Sequence, residues 1–181
     1  KPLIFLDYIA INKINVSKLK QIITGIIKGC KISGCELAGG ETAEMPGTYE
    51  KNKFDLAGFA VGIAKKSTVL KKKNIKKNDV VLAIPSNGLH SNGFSLVRYI
   101  LKKKKININK NKFLKKELIK PTKIYVNEVL KLVEKKLISG CVHITGGGII
   151  ENIPRVIPDG YGASIDLSKI RSMPIFKWIK N

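Results

Sequence analysis

The sequence predicts a mixed α+β and α/β chain divided into two domains, on three observations. Apolar runs of strand length recur along it, and one segment carries a clean helical periodicity. Glycine-rich polar turns follow the apolar runs. A lysine-rich polar stretch at 65–78 interrupts the pattern, which places a domain boundary there, with residues 1–68 on one side and 69–181 on the other. A length of 181 residues allows one ordinary domain or two small ones, and a hydrophobic fraction of 44% is too high for a disordered tail.

Residues 3–9 (LIFLDYI) read as a buried strand. Ser17 is placed to cap a helix whose apolar positions Leu19, Ile22, Ile23, Ile26, Ile27 and Cys30 recur at i, i+3, i+4 and i+7, and Gly34 is placed to stop it. Residues 35–38 are short and apolar and lead into a polar loop at 39–47. Residues 55–64 (DLAGFAVGIA) read as another strand, in which Gly58 and Gly62 suggest close packing or bulges. After the lysine-rich stretch, 79–84 (DVVLAI) reads as a strand, 85–93 as a loop and 94–101 as a helix. Residues 102–120 have room for a short helix, and Pro121-Thr122 opens one that runs to about 137. Residues 141–144 read as a brief strand, 145–148 as a turn, 151–154 as a short helix, 161–167 as a strand and 174–180 as the start of a helix. Met45 and Trp178 read as packing residues.

The formal net charge of +21 invites a nucleic-acid reading, but only Arg98, Arg155 and Arg171 are arginine and the other basic residues are lysine. Nucleic-acid readers lean on arginine for bidentate contacts. The lysines gather in spacers (71–73, 76–77, 102–105, 115–116), and a chain so rich in Lys, Ile and Asn fits compositional drift better than a binding surface. Cys30, Cys35 and Cys141 are too few and too unevenly spaced for a disulfide framework or a zinc site, and read as small apolar residues in a reducing cytoplasm. No uncharged apolar run is long enough to span a membrane, and no signal peptide is visible. The chain starts at Lys1 without a methionine and ends at Phe176–Asn181 inside a helical pattern, so a fragment of a longer protein is expected.

Three glycine-rich polar loops carry the chemistry: 39–47, 85–93 and 145–148. Glycines let backbone N–H groups approach an anion with no Cβ in the way, and a helix after such a loop turns its N-terminus toward the anion. That suits a phosphorylated ligand, although each loop alone reads equally well as a tight turn, and none matches a P-loop or dinucleotide fingerprint. Glu41 and Glu44 in the first loop could hold Mg²⁺ beside nucleotide phosphates, or could be solvated loop acids. Both histidines, His90 and His143, fall in the other two loops, where an imidazole can donate to a phosphate or move a proton near neutral pH. Asp7 could be a site acid or could cap a turn.

Several segments together are distinctive. Leu37-Ala38-Gly39-Gly40-Glu41-Thr42-Ala43-Glu44-Met45-Pro46-Gly47 resembles the most characteristic stretch of the aminoimidazole ribonucleotide (AIR) synthetase family, the phosphoribosylformylglycinamidine cyclo-ligases. So do Phe5-Leu6-Asp7-Tyr8, Asp55-Leu56-Ala57-Gly58-Phe59, the run Ser86 to Arg98, Pro121 to Tyr125, and His143-Ile144-Thr145-Gly146-Gly147-Gly148 continuing through Glu151-Asn152-Ile153-Pro154-Arg155. Their order and spacing also match, and the resemblance covers nearly the whole chain outside 65–78 and 102–118.

The resemblance implies a two-domain AIR synthase-like architecture with both domains incomplete here, and a cytoplasmic ligase of de novo purine synthesis. Its substrates would be ATP and formylglycinamidine ribonucleotide, with Mg²⁺ as metal and a homodimer as the full-length form. It implies Glu41 at Mg²⁺–ATP, with Gly39, Gly40 and Thr42 shaping an ATP-binding segment. It implies His90 and His143 as catalytic residues, with Ser86, Asn87, Gly88, Ser91 and Asn92 on one side and Thr145, Gly146, Gly147 and Gly148 on the other binding substrate and phosphate. Proteins of that family are nearly twice this length and carry a preceding ATP segment, so the chain by itself is expected to be inactive. Selenophosphate synthetase and formylglycinamidine ribonucleotide synthetase share the superfamily and are the nearest alternatives. A basic nucleic-acid-binding module, the alternative of a different class, predicts strongly salt-dependent binding. The resemblance implies no specific nucleic acid and no membrane as partners.

Overall fold

The computed structural model describes residues 1–181. They divide into two compact units: Lys1–Val69 with Ile124–Leu137, and Leu70–Lys123 with Ile138–Asn181.

The first unit is built on β1 (Pro2–Ile11), α1 (Val16–Ser33), β2 (Glu36–Glu44) and β3 (Phe54–Gly62). The sheet order is β2-β1-β3, with β1 parallel to β2 and antiparallel to β3. Parallel neighbours need a crossover, and α1 supplies it. Asn15 caps α1 by accepting from the Lys18 amide at 3.0 Å, whereas Ser17 lies inside the first turn. Gly34 ends the helix in the left-handed region at φ 70°, and the Cys35 amide reaches back to the Cys30 carbonyl at 3.1 Å. The apolar stripe turns inward as its periodicity predicts, except that Ile27 is exposed. Asp7, Ile9, Ala10 and Ile11 of β1 and Cys30 of α1 are the buried residues of this unit, while every residue of β3 is exposed. A fourth helix of the chain, α4 (Val126–Glu134), also belongs here: Asn127 Nδ2 donates to the Ile32 carbonyl at 3.0 Å.

Residues 39–44 were expected in a loop, but they continue β2, because β1 offers them a hydrogen-bonding edge as far as Glu44. The register shifts between Phe5 and Leu6, which pair with Leu37 and Gly39, so Ala38 is the extra residue of a bulge.

The second unit is held by helices. α2 (Phe94–Lys103), α3 (Lys112–Leu118) and α6 (Pro174–Lys180) close over Val97, Leu114, Leu118 and Ile175, and Trp178 packs against that cluster. α5 (Gly148–Asn152) is a single short helix after the 145–148 turn, continued by a 3-10 turn at Ile153–Arg155. The strands expected at 79–84, 141–144 and 161–167 do not form. A strand exists only through its ladder of hydrogen bonds, and an apolar run cannot supply its own partner; Val80 and Leu82 stay 82% and 84% exposed. The helix expected from 121 begins only at Val126, because Pro121, Thr122 and Lys123 spend their backbone and side-chain groups on the 85–93 loop. No helix is long and apolar enough to cross a membrane.

Candidate functional site

In the first unit the bulge at Ala38 sets the register of everything after it. Gly40 pairs with Asp7, Glu41 with Tyr8 and Thr42 with Ile9. Gly40 lies so close to Asp7 that a Cβ there would fall on the Asp7 carboxylate and carbonyl oxygens. Asp7 is thus a buried mid-strand acid beside the glycine pair, not a turn cap. Glu41 is exposed, and one carboxylate oxygen accepts from the Thr42 amide at 2.9 Å. No three His, Cys, Asp or Glu side chains converge as a ready-made cation cage. A single exposed carboxylate fits a Mg²⁺ ion that keeps its waters and takes its other ligands from nucleotide phosphates.

In the second unit the 85–93 loop is fastened from two directions. Internally, Ser86 Oγ donates to the Gly88 carbonyl at 3.0 Å. From outside, the Pro121 carbonyl accepts from Asn87 Nδ2 at 2.9 Å, and the hydroxyls of Ser91 and Thr122 meet at 3.2 Å. The Pro121 contact orients the Asn87 amide, so its Oδ1 faces His90 Nε2 at 2.7 Å. Which of the two donates at this contact depends on the imidazole tautomer. The Asn87 and Lys123 amides stand 3.3 and 3.4 Å from the same Nε2. His90 holds a left-handed backbone at φ 56°, a conformation that histidine tolerates better than most residues. Burial lowers its pKa below the ordinary value of 6.5, and the nearby His143 lowers it further.

The two histidine loops of this unit come together. His143 is near enough to oppose protonation of His90, and Asn92 Oδ1 lies 3.9 Å from the point where a Gly146 side chain would begin. His143 itself is exposed. The 145–148 turn closes with the Gly148 amide on the Thr145 carbonyl at 3.0 Å, and Gly147 and Gly148 both take positive φ, 88° and 63°. The helix after this turn has five residues, too short to bring the helix dipole expected there, so an anion would meet only the amides of the turn itself. The helix after Gly93 is full length and starts without a side-chain cap.

Gly39, Gly40, Glu41 and Thr42 therefore belong to the first unit, and His90, His143, the 86–92 residues and the 145–148 turn to the second. Two residues of the second unit were not singled out by their chemistry. Asn152 is buried behind the glycine turn, and the carboxylate of Glu151 lies against Gly147, where any Cβ would strike it. The spacing of Asn152 from Thr145, about two helical turns, is the available sign of a side chain folding back on the loop. Concavities elsewhere, one along Pro2 and Ala60–Ala64 and one among Lys72, Ile75, Cys141 and Arg155, hold none of these residues.

Comparison with known proteins accounts for both units. Residues 1–64 match the model described as AIR synthase related protein, N-terminal domain, and residues 76–181 match the model of the C-terminal domain. A protein named phosphoribosylformylglycinamidine cyclo-ligase, chloroplastic, from Arabidopsis thaliana is 48% identical over 185 residues, covering 99% of this chain and 48% of that protein. The phosphoribosylformylglycinamidine cyclo-ligases of Caldicellulosiruptor saccharolyticus and Alkaliphilus oremlandii are 48% and 49% identical, again over 99% of this chain and over 55% and 54% of their own lengths. The chain spans about half the length of the curated relatives it matches. By these matches the chain belongs to the AIR synthase related family.

Proposed function

We propose that the chain is part of an ATP-dependent cyclo-ligase that closes the imidazole ring of aminoimidazole ribonucleotide in de novo purine synthesis. The observation that carries this reading is the meeting of the two histidine loops in the second unit, His90 with Asn87 and Asn92 beside His143 and the Thr145–Gly148 turn, in a chain whose relatives carry the cyclo-ligase name.

In the reaction, the amide oxygen of formylglycinamidine ribonucleotide attacks the γ-phosphorus of ATP, and ADP departs. An amide oxygen is a poor leaving group and its phosphate ester a good one. The amidine nitrogen then forms a C–N bond to the activated carbon, phosphate leaves with the former carbonyl oxygen, and the nitrogen loses a proton. His90, held at Asn87 with its pKa lowered by burial and then by His143, serves as the proton-moving imidazole, and exposed His143 faces the developing anion. Ser86, Asn87, Gly88, Ser91 and Asn92 shape one wall for the substrate, and Thr145, Gly146, Gly147 and Gly148 receive phosphate oxygens on the other. Gly39, Gly40 and Thr42 shape the ATP segment, and Glu41 would hold Mg²⁺, which when bound neutralises phosphate charge.

Residues 1–68 serve in this reading as the second half of the ATP-binding and dimerising domain and 69–181 as the second domain. The working form is the full-length homodimer in the cytoplasm, and the chain alone is inactive. No specific nucleic acid is assigned to the +21 charge, because arginine contributes three of its cations. The test is His90→Ala and His143→Ala in the full-length protein, with ATP-dependent formation of the ring product measured. Each variant is expected to lose about 100-fold or more in turnover, the range for a lost acid–base group. Wild-type turnover in both sinks the assignment.

A further inference from the structure

Asn152 is the last residue of α5, and only 2% of it is exposed. All its side-chain bonds go to one place. Nδ2 donates to the carbonyls of Gly146 at 3.1 Å and Gly148 at 2.7 Å, and Oδ1 accepts from the Thr145 hydroxyl at 3.2 Å. A buried amide is costly unless it is bonded, so a chain that buries one here gains something specific from these contacts. Both amide protons and an acceptor lone pair are spent on a four-residue turn that contains three consecutive glycines. Three glycines in a row define no conformation by themselves.

The consequence follows from the planarity of the peptide bond, which sets each N–H opposite the carbonyl of its own unit. With the Gly146 and Gly148 carbonyls drawn inward to Asn152, the N–H groups of Gly147 and Ile149 are turned outward, away from it. We infer that Asn152 is a positioning residue: it selects, out of the many shapes open to the Thr145–Gly148 turn, the one whose amides face a phosphate group of the ribonucleotide. It touches no reacting atom and acts through the turn. The inference rests on the reading of that turn as a phosphate-receiving wall.

The test uses the full-length protein with Asn152→Asp and Asn152→Ala. The aspartate keeps the shape and the acceptor for Thr145, but it replaces both donors with an oxygen that repels the two carbonyls. Two readouts are taken. Amide hydrogen exchange at Gly148, whose N–H closes the turn on the Thr145 carbonyl, is expected to speed up without substrate in both variants by more than any loss of overall stability accounts for, with dimerisation unchanged. The KM for formylglycinamidine ribonucleotide is expected to rise about 10- to 100-fold, the scale for a misplaced binding group, with the KM for ATP unchanged. Unchanged exchange and kinetics in a folded Asn152→Asp variant overturn the inference, as does an equal loss toward both substrates. Unfolding of both variants overturns it too, because Asn152 is then a structural residue. Faster exchange with unaltered ribonucleotide KM leaves Asn152 as the organiser of the turn and overturns the phosphate role of the turn itself. An inactive wild type, or a fully active His143→Ala, is the separate failure of the underlying reading.

Discussion

His90 Nε2 meets Asn87 Oδ1 at 2.7 Å, and the Pro121 carbonyl fixes which way that Asn87 amide faces. This relay anchors the imidazole, while burial and then the neighbouring His143 hold its pKa below 6.5. The linkage has a definite sign. The unfolded chain takes up its histidine proton near 6.5, and the folded chain takes it only at lower pH. Stability from this group is therefore complete above pH 6.5 and is lost as the pH falls below it. Urea midpoints of the full-length protein are expected to decline below pH 6.5, and His90→Asn, which also suits the left-handed backbone, is expected to flatten that part of the profile. An unchanged slope counts against a buried neutral His90.

Gly40 is constrained by a neighbour, not by its own backbone. A methyl group there would fall on the Asp7 carboxylate and on the Asp7 carbonyl oxygen. Gly40→Ala is expected to destabilise the first unit by about 1–3 kcal/mol, the scale of overpacking. Asp7→Ala added to it is expected to rescue only part of the loss, because the carbonyl stays. A complete rescue in a double-mutant cycle, read by thermal unfolding, places the whole conflict at the carboxylate instead.

The thiols differ in accessibility. Cys141 is exposed and Cys35 half-buried, while Cys30 is buried, with its pKa pushed up by burial and then by its contact with Cys35. Since the thiolate is the reactive form, alkylation at pH 8 is expected to proceed in the order Cys141, Cys35, Cys30. Peptide mapping after timed iodoacetamide exposure checks this, and early labelling of Cys30 contradicts the burial.

Leu114 is fully buried against Val97, Leu118 and Ile175. Leu114→Ala is expected to cost about 2–5 kcal/mol, as other core leucines do. The loss should appear in the unfolding of the second unit, with exchange protection along α2 and α6 falling together. Loss confined to α3 argues for a looser core.

Much of the first unit was legible in the sequence. The stripe from Leu19 to Cys30, the stop at Gly34 and the apolar run of β1 follow from local periodicity and capping, which a helix carries within itself. The errors over strands share one physical cause. Residues 39–44 became strand because β1 offered them an edge, and 79–84 stayed irregular because it found none, although its composition is the more strand-like. Glycine-rich wording marked the candidate loops but not what shapes them: Pro121 reaches Asn87 across a gap that no local pattern spans, and Asn152 folds back on its turn only once burial encloses it.

The sequence by itself determined the family, the residues that could bear chemistry, and the stripe and stop of α1, because these depend on residue identity and near-neighbour spacing. Tertiary structure alone decided which apolar runs pair into strands, that Asp7 lies beside Gly40, that His90 is neutral next to His143, and that a buried amide organises the 145–148 turn. The first three depend on groups far apart in the chain meeting at hydrogen-bond or contact distance, and the last on the burial of a nearby side chain; only folding creates such meetings and such burial.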